Sequence, residues 1–331
     1  MILDGLQAKR MALPGFMVSI IYFNRLVALP RMEQITLTLQ RTKFCLVQNH
    51  FIPEFYFSPW LNETGHIIRF GWMRGKLTRD PKTPGQICYV VDLHTFTGTV
   101  GKLDKDAVES WLTNIDTNAA KAIKDILSDG LKSIGDEGAT HLATFILSLI
   151  VRSPEQVGYL NERAAPDFQK TLDAQDAQVQ GDPELLPTTY GFTSLQDYTE
   201  RVHPGLIENV GRVLITDIIS DVRYVRRVVE MDWWTIDFSS CGFGGVITSD
   251  RLPVIVGKGL DDPQVLLVLP LSPSTVLYLS PPGWRARMTA GGKGPLGIWT
   301  MKMILSTARQ FAFARKTANV NLISKYLRRG A

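Results

Sequence analysis

Apolar residues recur along this chain with two different periods, and each period predicts its own kind of element. Between residues 64 and 100 the runs HIIRFGWM and QICYVVDLHTF are short and rich in β-branched and aromatic side chains. The breaker stretch RDPKTPG splits them, so they predict strands. From Asp104 the period lengthens. Val108, Trp111, Leu112, Ile115, Ala119, Ile123 and Ile126 recur at helical spacing, with Asp104 placed as an N-cap and Gly130 as a C-cap. A second helix is expected from about Asp136 to Arg152. Its stretch ATHLATFILSLIV is apolar almost all round, which predicts a central, buried position. Ser153-Pro154 ends that helix or begins another.

The stretch from Asp167 to Asp197 is rich in Gln, Asp and Pro and reads as a long surface loop. LIENVGRVLITDIISDVRYVRRVVE reads as one further helix. From Met231 the pattern changes to strands, WWTIDF, FGGVITSD, LPVIV, VLLVLPL and TVLYLS, separated by Gly, Pro, Asp and Ser. Helical character returns from about Trp299. The order is short N-terminal strands, central buried helices, a C-terminal antiparallel β block and then a basic helix, which predicts an α+β fold. Residues 44–331 are expected to form a single α+β domain, with 1–43 as an extra N-terminal segment. Within that segment GFMVSIIYF, flanked by Lys9, Arg10 and Arg25, is either a signal-peptide core or part of an extension ahead of an alternative start at Met32.

Composition adds little to the class but narrows the setting. The 331 residues are 45% hydrophobic and 21% charged, enough to bury a core. Cys45, Cys88 and Cys241 are odd in number and far apart, which argues against a disulfide framework and fits a cytoplasmic protein. No apolar run reaches the roughly 18 to 20 residues needed to span a bilayer, so no transmembrane segment is expected.

Charge changes the picture more. Ten of the 36 basic residues and none of the 32 acidic ones lie after Asp262, although the whole chain is only +4. Arg309, Arg315, Lys316, Arg328 and Arg329 are the basic residues singled out there for nucleic-acid binding. Such asymmetry suggests an anionic partner, nucleic acid or a membrane surface. The competing reading is that the basic end packs on the acidic middle of the same chain.

Candidate chemistry comes from polar residues in apolar settings. On a helical wheel Glu137, His141, Thr144, Ser148 and Arg152 fall within about 80° of one another. They form a polar line that faces either water or a cleft. Asp116 lies at the edge of the first helix's apolar stripe, roughly 70° from its centre. Ser249-Asp250 closes a strand ahead of Pro253, where it serves as an Asx turn or hands a carboxylate to a site. His50 sits in QNHFIPEFY between two amides and a run of aromatic residues. The chain has no Walker loop, no GxGxxG after a strand, no HExxH, no paired Cys and no GxSxG elbow.

QNHFIPEFY, LIVRSPEQ, GVITSDRLPV and LVLPLSP, in this order and at these separations, resemble the bacterial and fungal family known as domain of unknown function 4238. The resemblance runs from about Phe44 to Lys325. It implies no established activity, but it directs attention to His50, Arg152, Ser249 and Asp250. A first-helix position that is usually Glu in the family appears here as Asp116.

Together these residues suggest a hydrolase acting on a phosphodiester, most naturally a nuclease. In that reading His50 is the general acid or base and Asp250 orients it or ligates a metal. Arg152 clamps a phosphate and the basic end holds the backbone. The sequence names no cofactor; a divalent metal is the one such chemistry would call on. The alternative is a non-enzymatic module that binds nucleic acid or an anionic surface.

Overall fold

The computed structural model describes residues 47–96, 107–179 and 191–329. The expected cap Asp104 and the segment 1–43 lie outside them. Strand β1 (Gln48–His50) pairs antiparallel with β4 (Tyr89–Val91), placing His50 opposite Tyr89. Between them, β2 (Ile67–Met73) and β3 (Lys76–Lys82) form a hairpin. Most of the expected breaker RDPKTPG is therefore strand. Pro81 is tolerated because β3 is an edge strand, where a missing N–H costs no ladder bond.

The helical region follows. It comprises α1 (Ala107–Asp129), α2 (Gly135–Val151), α3 (Pro154–Val179), α4 (Leu195–Val202), α5 (Leu206–Ile219) and α6 (Val222–Val229). Gly130 ends α1 as expected, with φ of 85° and its N–H donating to Ile126 O at 3.0 Å. Ser153-Pro154 both ends α2 and starts α3. The expected loop from Asp167 is instead helix as far as Val179. Its polar residues are exposed or half-buried, while Leu172 packs with Leu195, Phe168 and Ile207, so one apolar stripe helps to dock it. The α3–α5 crossing is close. A Cβ on Gly211 would lie 2.6 Å from Asn161 Oδ1 and 2.7 Å from its backbone N, so glycine permits the approach. The single helix expected over residues 206–230 is two. The chain breaks at Ser220-Asp221, and the Asp221 side chain caps α6 by accepting from Arg223 N at 2.9 Å.

The β block follows with β5 (Asp232–Asp237), β6 (Thr248–Ser249), β7 (Val254–Val256), β8 (Leu266–Pro270) and β9 (Thr275–Ser280). FGGVITSD contributes only the two residues of β6. Helices α7 (Trp284–Thr289) and α8 (Lys293–Thr307), strand β10 (Phe311–Ala314) and α9 (Val320–Tyr326) complete the chain. β10, read from the sequence as helix, lies between β2 and β6. It joins the two ends of the chain in the antiparallel order β3-β2-β10-β6.

The other sheet, β5-β9-β8-β7, is antiparallel and covered on both faces. Leu267, Leu269, Leu277 and Leu279 face a core shared with α1, α2, α5 and α6. Leu266, Val268, Val276 and Tyr278 face a second core with α8 and α9. That explains why these strands read as unbroken apolar runs rather than alternating ones. With helices and antiparallel sheets sharing these cores, the fold is α+β. Among the described residues, one helical run, 131–151, is long and apolar enough by length and composition to cross a membrane. It contains α2, whose Leu142, Phe145, Ile146, Leu147 and Leu149 belong to the first core.

Candidate functional site

A strand points alternate side chains to opposite faces, and β1 shows the consequence at once. Asn49 is fully buried. Its Oδ1 accepts from His94 N at 3.1 Å and Thr95 Oγ1 at 3.4 Å, and its Nδ2 donates to Glu109 Oε2 at 3.2 Å. His50 faces the other way. Its ring lies against Tyr89, 5.7 Å between centroids, and its Nε2 is 3.7 Å from Glu54 Oε1 with no hydrogen bond. Phe51 turns inward again, under the guanidinium of Arg309 at 4.8 Å.

The inward residues meet the junction where α2 passes into α3. His94 is 1% exposed, with Nδ1 3.1 Å from Glu109 Oε2 and Nε2 3.3 Å from the carbonyl of Arg152. Arg152, also 1% exposed, donates from Nη1 to Asp116 Oδ2 at 3.0 Å. Its Nη2 lies 3.0 Å from Asp116 Oδ1 as an ion pair, off hydrogen-bond alignment. The face of Phe145 lies 5.5 Å from the guanidinium. The polar line on α2 thus runs from exposed Glu137 through half-buried His141 and Thr144 to buried Ser148 and Arg152. Arg152 ends that line as the buried partner of a carboxylate on α1.

Three residues further on, Glu155 ion-pairs with Nη2 of Arg309. Arg309 follows α8, and its position is held by Asp250. The Asp250 Oδ1 accepts from Arg309 N at 2.8 Å, and Oδ2 accepts from Gln310 N at 2.9 Å and Phe311 N at 3.0 Å. Asp250 N in turn donates to Phe311 O at 3.2 Å, so this carboxylate locks the start of β10. Burial pushes the Asp250 carboxyl above its usual range, and the three amide bonds and the Arg309 charge only partly offset that. Burial likewise pulls Arg309 below its ordinary value, against the opposing charges of Glu155 and Asp250. The Cys88 thiol is pushed well up by burial and further by the Asp250 charge, which leaves it an unreactive core sulfur.

The expected His50–Asp250 pair is not formed: no hydrogen bond or ion pair joins the two. The physical reasons are strand alternation, which turns His50 away, and the backbone amides that occupy both oxygens of Asp250. Ser249 is fully buried and bonds within its own turn, its Oγ donating to Arg251 O at 3.2 Å and accepting from Arg251 N at 3.4 Å. Of the expected site residues, Arg152 and Asp116 are joined directly. Asp250 is joined to Arg309, which the sequence groups with the basic residues expected to bind nucleic acid.

A family model described as protein of unknown function (DUF4238) matches residues 48–322. The chain belongs to this family. No curated protein and no solved structure gives a significant match. The DUF4238 match begins at the first residue of β1 and ends within α9. It therefore includes every residue of the junction and leaves Arg328 and Arg329 beyond its end.

Sequence reasoning missed Asn49, His94, Glu109, Phe51 and Glu155. Two signals were present. Glu109 and Asp116 are seven residues apart, two helical turns, and so share a face of α1. Glu155 directly follows the Arg-Ser-Pro motif. Among the described residues no group of three or more His, Cys, Asp or Glu side chains is placed to hold a metal ion.

The remaining basic residues singled out from the sequence are at the surface. Arg315, Lys316, Arg328 and Arg329 are exposed, as is Lys325. Trp72 of β2 joins this end of the molecule to the first hairpin, its indole N–H donating to Leu327 O at 3.0 Å. The hairpin turn beside it carries exposed Arg74 and Lys76.

Proposed function

We propose that this protein binds nucleic acid through the basic surface of its C-terminal end, as a binding module. One observation carries the reading. Of the ten basic residues after Asp262, Arg309 alone forms an ion pair with a carboxylate among the described residues. Among the described residues, Arg315, Lys316, Lys325, Arg328 and Arg329 thus have no carboxylate partner. Unopposed like charges on one chain repel, and a polyanion relieves the repulsion while releasing its own counterions. The test is affinity for labelled DNA and RNA over a salt series. Binding should weaken steeply with salt, and Arg328→Ala with Arg329→Ala should lower the log-log slope by roughly 1.5 to 2. Failure to bind either polymer at low salt overturns the reading.

Hydrolysis of the bound phosphodiester is a second reading, and His50 favours it. Its ring is half-buried, with Nε2 free of hydrogen bonds and 3.7 Å from the Glu54 carboxylate, an imidazole and carboxylate together without a structural task. Cleavage assays with Mg²⁺, with Mn²⁺ and with chelator test it. Loss of about 10²-fold in His50→Ala is expected if it holds. Parent protein that cleaves under none of these conditions rejects it. The cytoplasmic setting suggested by the cysteines belongs to both readings.

A further inference from the structure

We propose that the basic surface takes single-stranded nucleic acid, with Trp72 and Tyr326 as the platforms on which bases stack. This rests on the nucleic-acid reading above and names the form of the polymer. Trp72 and Tyr326 are half-buried side chains from opposite ends of the chain. The hydrogen bond from Trp72 to Leu327 O brings them together, because Leu327 directly follows Tyr326. Each ring carries cations. The Arg329 guanidinium lies 4.7 Å from the Trp72 ring centroid. Lys302 Nζ and Lys325 Nζ lie 5.2 and 5.5 Å from that of Tyr326. Beside Trp72, Met73 is 59% exposed. Aromatic rings interleaved with cations that no carboxylate neutralises are what an unpaired strand needs. The cations follow the phosphates, and each base has a π-face that stacks on an aromatic ring whatever its identity. A duplex hides those faces and can use only the cations.

The shape of the surface points the same way. Helix α9 has seven residues, and Ile323 and Leu327 anchor it in the second core. It is held against that core and α8 and does not project as a helix that enters a major groove does.

The experiment measures binding to a labelled single-stranded oligonucleotide, its duplex and phosphatidylserine vesicles over one common salt series. The single strand should bind at least tenfold tighter than the duplex. Tyr326→Leu and Trp72→Leu should each weaken single-strand binding about fivefold or more with the salt slope unchanged, and should leave duplex binding alone. Trp72→Phe loses the bond to Leu327 but keeps a ring, so it should retain most of the affinity. That retention separates stacking from a fold defect. Equal, salt-dependent binding of single strand and duplex, indifferent to the ring substitutions, overturns this proposal and leaves the nucleic-acid reading standing. Binding to vesicles alone, or to nothing, overturns both.

Discussion

The α2–α3 junction and the C-terminal surface are both rich in charge, and the protein treats that charge in opposite ways. At the junction every formal charge is spoken for. Arg152 has Asp116, Arg309 has Glu155, Glu109 has His94 and Asn49, and Asp250 has three backbone amides. Burial forces this, because a desolvated charge without a partner is too costly to keep. At the C-terminal surface water screens the charges, so nothing in the fold requires ion pairs, and among the described residues no carboxylate pairs with Arg315, Lys316, Lys325, Arg328 or Arg329. The same residue types therefore carry different information. A buried arginine records how helices and strands are tied together. Exposed arginines and lysines without carboxylate partners do no such tying.

Substitutions at the junction should break the fold and leave binding alone, and those at the surface should do the reverse. The largest effect is expected for Asp116→Ala. It strands the Arg152 guanidinium in the core and should destabilise the protein by about 3 to 5 kcal/mol, a large share of a typical total of roughly 5 to 15. Urea denaturation measures it, and a cost below about 1 kcal/mol would mean the pair contributes little to the fold.

Asp250→Asn comes next, at about 2 to 4 kcal/mol. It sets an amide –NH₂ against backbone N–H groups that now donate to a carboxylate. Its pH dependence sharpens the point. Burial raises the folded-state pKa of Asp250 above the unfolded value, so in the window between them the folded protein keeps a proton that the unfolded chain has released. Stability from this group therefore grows as pH falls through that window and declines as pH rises. Urea melts at pH 7, 5 and 4 should show the gap between parent and Asp250→Asn widening toward acid. A gap that narrows instead would mean the three amide bonds outweigh burial.

Asn49→Leu should cost about 1 to 3 kcal/mol, because it keeps the branched shape but removes the acceptor for His94 N and one of the donors to the Glu109 carboxylate. The smallest change in stability, within about 0.5 kcal/mol, is expected for Arg328→Ala and Arg329→Ala. These should nevertheless produce the greatest loss of nucleic-acid affinity. Thermal melting beside a salt series separates the two outcomes, and a junction-sized loss of stability from this pair would erase the contrast between the regions.

Much of this was legible without coordinates, and the exceptions share a cause. The helical periods of α1 and α2 could be read directly, as could the cap at Gly130 and the apolar runs of β8 and β9, because each depends on neighbours within a few residues. β10 could not. FAFA alternates as a strand does, but its four residues are strand only because β2 and β6 lie on either side of it. The polar part of α3 looked like a loop because its buried apolar residue, Leu172, acquires meaning only when Leu195 packs against it.

By itself the amino-acid sequence determined the class of fold, the family to which the chain belongs, and the concentration of unopposed positive charge after Asp262. Tertiary structure decided which motif residues meet. One position of strand register separates His50, turned out toward Tyr89 and Glu54, from Asn49 and Phe51, turned in toward the junction. Arg152 and Asp116 are 36 residues apart in sequence, and Asp250 is 59 to 61 from the amides it binds. Spacing of that length carries no geometry until the chain has closed, because periodicity constrains the direction of a side chain but not the identity of what stands opposite.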